Sequence, residues 1–307
     1  MIVCCGEALI DMLPRTLPDG SAVLLPATGG AVYNTAVALG RLGVEAGFFS
    51  GLSTDMFGRQ LEADLAASQV DASFCARSAR PTTLAFVELT DGNARYTFYD
   101  EQTAGRMLAL ADLPDFGDAV DALHFGAISL IPEPCGGTYE ALLQREAARR
   151  VISLDPNIRA NFIADAQAHR GRMRRMIAGS DIIKVSDEDL AWIEPGRPTD
   201  TVIGEWIAQG AAIVVLTMGA EGAHAFTANG DVRVPVQRVD VVDTVGAGDS
   251  FDAGLLAGLR QQGLLSKTAL RQIGTTQLED ALRLAAQVAS VVVSRAGANP
   301  PWMHELA

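Results

Sequence analysis

Residues 151–157 read VISLDPN, residues 181–186 DIIKVS and residues 212–219 AIVVLTMG. Each is a short apolar run, rich in Val and Ile, that ends on polar or small residues. ALHFGAI at 122–128 is a fourth. Helix-length segments separate them. Strand alternating with helix implies parallel strands joined by crossovers, with helices on both faces of the sheet. The expected fold class is a doubly wound, mainly parallel α/β sheet flanked by helices.

The pattern extends towards the N-terminus. MIVCCGEALIDML opens as a strand, and ATGGAVYNTAVALGRLG is a Gly-Gly turn followed by a helix with Ala36, Leu39 and Leu42 at helical spacing. VEAGFFSGLSTD reads as a strand leading to a loop, and MFGRQLEADLAASQ as a helix. One segment breaks the rhythm. TTLAFVELTDGNARYTFYD, from residue 82, alternates around Thr90-Asp91-Gly92-Asn93 and predicts a β-hairpin, either at the sheet edge or as a separate flap. The closing segment, EDALRLAAQVASVVVSRAGA, reads as a helix. Asp11, Gly29-Gly30, Asp155–Asn157, Lys184–Asp189, Thr217–Gly219 and Asp243–Asp249 all fall just after expected strands. In parallel α/β sheets that edge is where ligands bind.

Residues 243–250, DTVGAGDS, carry the sharpest chemistry. Gly246, Ala247 and Gly248 precede an apolar helical run, FDAGLLAGL. Small residues let a backbone come close to a ligand, and the first amides of a helix favour an anion. Asp249 would repel that anion. A site that keeps both suits proton transfer beside a phosphate. Taken alone, the turn also fits a closely packed helix start with an acidic cap.

The bulk composition narrows the partners. The 307 residues include 49% hydrophobic ones, and 24 Lys and Arg stand against 37 Asp and Glu, a formal charge of -13. Such a balance disfavours nucleic-acid and anionic-membrane surfaces. The four cysteines, Cys4, Cys5, Cys75 and Cys135, form no C-x-x-C pair and suit buried thiols in a reducing compartment. With no signal peptide and no apolar run long enough to span a membrane, a cytoplasmic protein is expected. The only lysines are Lys184 and Lys267, neither after a glycine, so no P-loop is present. No G-x-G-x-x-G follows the first strand, and Ser250 lacks the setting of a nucleophile elbow. His124, His169, His224 and His304 lack metal-ligand spacing.

DTVGAGDSFDAGLLAGL resembles the C-terminal signature of the ribokinase-like, or PfkB, carbohydrate kinases. TGGAVYNTAVALGRLG with GLSTDMFGRQL resembles their N-terminal signature, and the two lie in the family's order. GEALIDM, FYDEQTAGRML and DPNIR resemble the fructokinase-like branch. The resemblance covers nearly the whole chain. It implies a single domain over 1–307 with a β lid from roughly 11–28 and 82–101. It also implies an ATP- and Mg2+-dependent transfer of the γ-phosphate to a primary hydroxyl of a small sugar, fructose first. Kinases for ketodeoxygluconate, ribose or a nucleoside share the scaffold, and a non-catalytic sugar sensor is a further alternative.

The resemblance also implies roles. Asp249 matches the general base, and the amides of Gly246, Ala247 and Gly248 match the hole for the transferred phosphoryl group. Asp11, Gly30, Asn34 and Arg159 match sugar contacts, and Tyr96 and Phe98 lie on the lid. Lys184, Thr217, Gly219 and Gly222 fall on the nucleotide side. Many family members carry Asn-x-x-Glu after the lysine, reaching Mg2+ through water. Here Ser186-Asp187-Glu188-Asp189 stands there, which puts the role of Asp189 in doubt and nominates Glu188. Asp243 and the Val245 carbonyl match part of a K+ site in some relatives. A homodimer paired through the lid is expected.

Overall fold

The computed structural model describes residues 1–90 and 93–306. Its strands in chain order are β1 (Ile2–Cys5), β2 (Leu9–Thr16), β3 (Ala22–Gly29), β4 (Ala46–Phe49), β5 (Gly51–Ser53), β6 (Val70–Asp71), β7 (Ala76–Ser78), β8 (Thr83–Thr90), β9 (Asn93–Tyr99), β10 (Ala122–Gly126), β11 (Val151–Asp155), β12 (Ile182–Ser186), β13 (Ile213–Thr217), β14 (Ala223–Thr227) and β15 (Gly230–Val234). The helices are α1 (Ala31–Arg41), α2 (Met56–Ala67), α3 (Cys135–Glu146), α4 (Ala166–Ala178), α5 (Asp187–Ile193), α6 (Thr199–Gln209), α7 (Ala247–Gln261), α8 (Lys267–Arg271) and α9 (Thr275–Val293).

The main sheet has nine strands in the order β15-β14-β13-β12-β11-β10-β1-β4-β6. From β13 to β6 every pairing is parallel, and β14 and β15 add an antiparallel edge. Its interior strands are apolar throughout because helices cover both faces. One apolar cluster holds Val32, Leu39, Leu255 and Leu282 of α1, α7 and α9. The other holds Leu142, Met173, Ile193 and Trp206 of α3 to α6. The expected doubly wound sheet is therefore the fold. Helix α7 lies close against α9 because Gly254 and Gly258 face it. A Cβ on either would come within 2.6 or 2.8 Å of Ala285 or Ala281 Cα.

A separate four-stranded sheet, in the order β3-β2-β8-β9, accounts for the segment that broke the rhythm. Strands β8 and β9 form the expected antiparallel hairpin; its turn residues Asp91 and Gly92 lie outside the described residues. The first expected strand is really two. Buried Gly6, Glu7 and Ala8 carry the chain from β1 in the large sheet to β2 in the small one. Asp11 thus sits within β2, not after a strand of the main sheet. Asp243–Asp249 does not directly follow a strand either, since β15 ends at Val234 and irregular chain fills 235–246. The β14–β15 hairpin, which turns at Ala228-Asn229, was not foreseen. Among the described residues no helix is long and apolar enough to cross a membrane. All four cysteines are free and buried.

Candidate active site

Helices α1 and α7 begin side by side at the carboxyl edge of the main sheet. Gly30 starts α1 at φ 112°, and a Cβ there would lie 2.8 Å from the Glu7 carbonyl oxygen. Gly246 starts α7 at φ 77°, in the left-handed region that favours glycine. Neither helix start has a side-chain cap from its own N-cap residue. Instead Glu7, buried at the end of β1, accepts the amides of Ala31 at 2.8 Å and Ser129 at 3.2 Å. Burial raises its carboxyl above the ordinary value, against the pull of those amides. Glu7 lay inside the GEALIDM resemblance but was given no role there, since its partners are distant in sequence.

Asn34 and Asp249 meet across this junction. The Asn34 Nδ2 donates to Asp249 Oδ2 at 2.8 Å, so its side chain does not cap its own helix. Thr35 Oγ1 donates to the Asp249 carbonyl at 3.2 Å. Asp249 is 7% exposed, and its carboxyl is pushed up to about 7. Burial is the main cause. The Asn34 bond and the Lys184 charge oppose it, and Asp155 and Glu7 add to it. A carboxyl that takes and gives a proton near neutrality is suited to acid–base work.

The amides expected to hold an anion lie in the same turn. Ala247 N donates to Thr244 O at 3.3 Å and so closes the turn, while Gly248 and Asp249 stand in the first helical turn, where amides have no intrahelical acceptor. Beneath them is Lys184. A Cβ on Gly248 would lie 3.0 Å from its Nζ. The lysine is buried and donates to Asp155 Oδ2 at 2.7 Å. Burial works against its charge, but Asp155, Asp252 and Asp249 outweigh that and hold it protonated.

Asp11 projects from β2 to Gly29, where its Oδ2 occupies the space a Cβ would need. Burial raises its carboxyl to about 6. Tyr96 on β9 feels the charges of Asp11, Arg159 and Asp243, which brings these four towards one another. Tyr96 stacks on Phe98 with centroids 6.2 Å apart, and Phe98 meets Phe162 edge-on at 4.7 Å. Phe162 follows the DPNIR loop and was not singled out in the sequence. Arg159 is exposed, makes no ion pair among the described residues, and donates to the Ile158 carbonyl at 3.1 Å. Thr217, Gly219 and Gly222 form the tight loop after β13, next along the same edge from Ser186.

Asp189 does something the sequence did not disclose. Its Oδ1 accepts the Ile158 amide at 3.1 Å, tying α5 to the loop after β11, and burial raises its carboxyl to about 6. Glu188 points to solvent. Asp243 accepts the amides of Val245 at 3.1 Å and Gly297 at 2.9 Å. Among the described residues no group of three or more His, Cys, Asp and Glu could hold a metal ion. A cavity of ≈ 640 Å³ adjoins this centre through Glu7, Tyr96 and Phe98 but is not lined by Asp249, Asn34 or Asp11. The convergence of side chains, rather than the volume, marks the candidate centre.

The model for pfkB family carbohydrate kinases matches residues 1–305. A fructokinase from Rhizobium leguminosarum bv. trifolii is 58% identical over 283 residues, 92% of this chain and 86% of that protein. The crystal structure of Xylella fastidiosa fructokinase with bound ATP superposes with a TM-score of 0.90 at 30% identity, covering 99% of this chain and 97% of that one. A fructokinase double mutant from Vibrio cholerae O395, in its fructose-, ADP- and potassium-bound form, gives 0.83 at 27% identity, with 97% and 93% covered. The paired helix starts, the buried Asp249 between them and these likenesses agree: the chain belongs to the pfkB family of carbohydrate kinases.

Proposed function

We propose that the chain transfers the γ-phosphoryl group of ATP to a primary hydroxyl of fructose, with Asp249 as the general base. The observation that carries this reading is the Asp249–Asn34 pair at the start of α7, beside a turn whose amides face an incoming anion. Asp249 takes the hydroxyl proton as the sugar oxygen attacks phosphorus. Asn34 orients the carboxylate, and its remaining donor and acceptor are available to a sugar hydroxyl. Asp11 accepts from two hydroxyls, and Gly30 lets the ring approach α1. The amides of Gly246 and Gly248 receive charge on the transferring group, while that of Ala247 closes the turn on Thr244 O, and Lys184 adds a fixed positive charge below them. Phosphoryl transfer is mostly positioning plus charge stabilisation, and both are supplied.

On the nucleotide side we assign Thr217, Gly219 and Gly222. Mg2+ fits as an ion carried on the ATP phosphates, met by Asp189 through water, because the Asp189 Oδ1 already serves the Ile158 amide. Bound there it neutralises phosphate charge. K+ fits the loop that Asp243 closes, with the Val245 carbonyl as a further ligand. The sheet of β2, β3, β8 and β9 is the lid, with Tyr96 and Phe98 over the sugar; Arg159 borders it. Closure excludes water from the transferred group. Leu17, Leu24 and Leu25 are exposed on the β2–β3 hairpin and support a homodimer paired through this sheet. Buried free thiols support a reducing, cytoplasmic setting.

An uncharged sugar is favoured over ketodeoxygluconate. A carboxylate would need a cation by Asn34, whereas Asn34 is bonded to Asp249 with Glu7 close by, and Arg159 is folded onto its own backbone. The Arg95 side chain lies outside the described residues. Sugar-dependent ADP release with Mg-ATP tests the reading against fructose, ribose, glucose, ketodeoxygluconate and adenosine. Fructose as the strongest acceptor is the expected result. Sugar binding without ADP release from any of them would favour a sensor and overturn the proposal.

A further inference from the structure

Lys184 is enclosed by aspartates from separate parts of the chain. Asp155 at the end of β11 accepts its Nζ at 2.7 Å, and Asp252 on α7 lies 3.6 Å away. Asp252 stands one turn after Asp249 and is 2% exposed. Its Oδ2 has no hydrogen-bond partner among the described residues. The reading of the Asp249 turn makes no use of it. Yet a buried carboxyl group in this position is expensive unless it serves a fixed arrangement of charge.

We propose that Asp252 is a positioning residue for phosphoryl transfer: together with Asp155 it fixes the Lys184 ammonium beneath the Gly246–Gly248 turn. This rests on the kinase reading above. Gly248 marks how close the ammonium comes to the anion-facing amides, since a Cβ there would lie 3.0 Å from Nζ. A lysine held by Asp155 alone would be free to turn about that one contact. The second carboxyl group closes the other side.

The surroundings define the protonation of the cluster. Asp252 faces Lys184 on β12, Asp155 on β11, Asp249 on its own helix and the Cys4 thiol on β1. His124 on β10 faces the Asp155–Lys184 pair and is held neutral by burial, and Asp189 of α5 feels the same pair. Burial first, with the Asp155 charge added and Lys184 opposing, lifts the Asp252 carboxyl well above its usual range.

Asp252→Ala and Asp252→Asn separate this from a packing role. Turnover, KM for sugar and for Mg-ATP, and the melting temperature would be followed from acid to alkaline pH. Asp252→Ala is expected to lose about tenfold or more in kcat, with sugar KM changed less than about twofold. Asp252→Asn keeps a polar side chain of the same shape beside Lys184 and should recover most of that turnover. If Asp252→Ala keeps its kcat, the proposal is overturned. It is equally overturned if both variants lose activity in step with melting temperature. An unsubstituted enzyme inactive on every acceptor would overturn the kinase reading and this inference together.

Discussion

Replacing Asp249 with asparagine should make the protein more stable while it destroys turnover. Burial lifts this carboxyl from 3.8 to about 7. At 1.36 kcal/mol per factor of ten, ionising it inside the folded protein costs about 4 kcal/mol above neutrality. Asparagine removes that cost, and its Oδ1 can still accept from Asn34 Nδ2. It gives up the attraction to Lys184, which leaves a gain of about 2–4 kcal/mol. At about 2 °C per kcal/mol for a chain of this size, the melting temperature should rise by about 4–8 °C. The sign carries a pH signature. Below about pH 4 both states of the unsubstituted protein hold the proton, and the two proteins should melt alike. Between about pH 4 and 7 the unfolded chain releases the proton and the folded one retains it, so the unsubstituted protein loses stability and the variant does not. Above about pH 7 the gap is constant. Differential scanning calorimetry at pH 4, 6 and 8 measures this. Turnover with the best acceptor should fall by about 10²–10⁴-fold, the usual worth of a general base. A variant that is less stable, or more stable by the same margin at every pH, would refute the reasoning, because burial would then not control this carboxyl.

Asn34→Ala removes the hydrogen bond that favours the ionised form of Asp249. The acidic limb of kcat/KM should move to higher pH by a fraction of a unit or more, with a rise in sugar KM; a limb that stays in place would show that the contact does not tune the base. Leu24→Asp with Leu25→Asp on the exposed β2–β3 hairpin should convert the proposed dimer to monomer in sedimentation experiments. Sedimentation of the unsubstituted protein as a monomer would remove the lid-paired assembly.

The parts of the fold legible in the sequence were those set by local periodicity. VISLDPN, DIIKVS and AIVVLTMG are strands of the parallel sheet, and the GAGD turn does begin a helix. What stayed hidden depends on partners far along the chain. Alternation within residues 1–13 says that the chain is extended but not that it changes sheets at Gly6–Ala8. The Asn34–Asp249 bond joins groups separated by 215 positions, so no local pattern could distinguish it from a helix cap. Lys184 and Asp189 were both read by position within a motif. Their partners, Asp155 and the Ile158 amide, come from the end of another strand and the loop after it and change what each side chain can do. Asp252 was invisible for a related reason. Helical spacing puts it on a buried face, but only the assembled sheet shows that the face holds a lysine.

In the proposed site the two neighbouring helix starts would sort ligands by charge. Glu7 already plugs the amides of α1, whereas those of α7 have no side chain across them. In the proposed function the uncharged sugar lies against the first helix, where a phosphate would meet Glu7, and the phosphate is drawn to the second. The same asymmetry acts once the reaction is over. In the proposed mechanism Asp249 then holds the proton taken from the hydroxyl; once that proton passes on, the phosphorylated sugar faces a carboxylate that did not repel its uncharged parent. Loss of that proton would thus push towards product release, and a sugar that is already phosphorylated would meet the same repulsion.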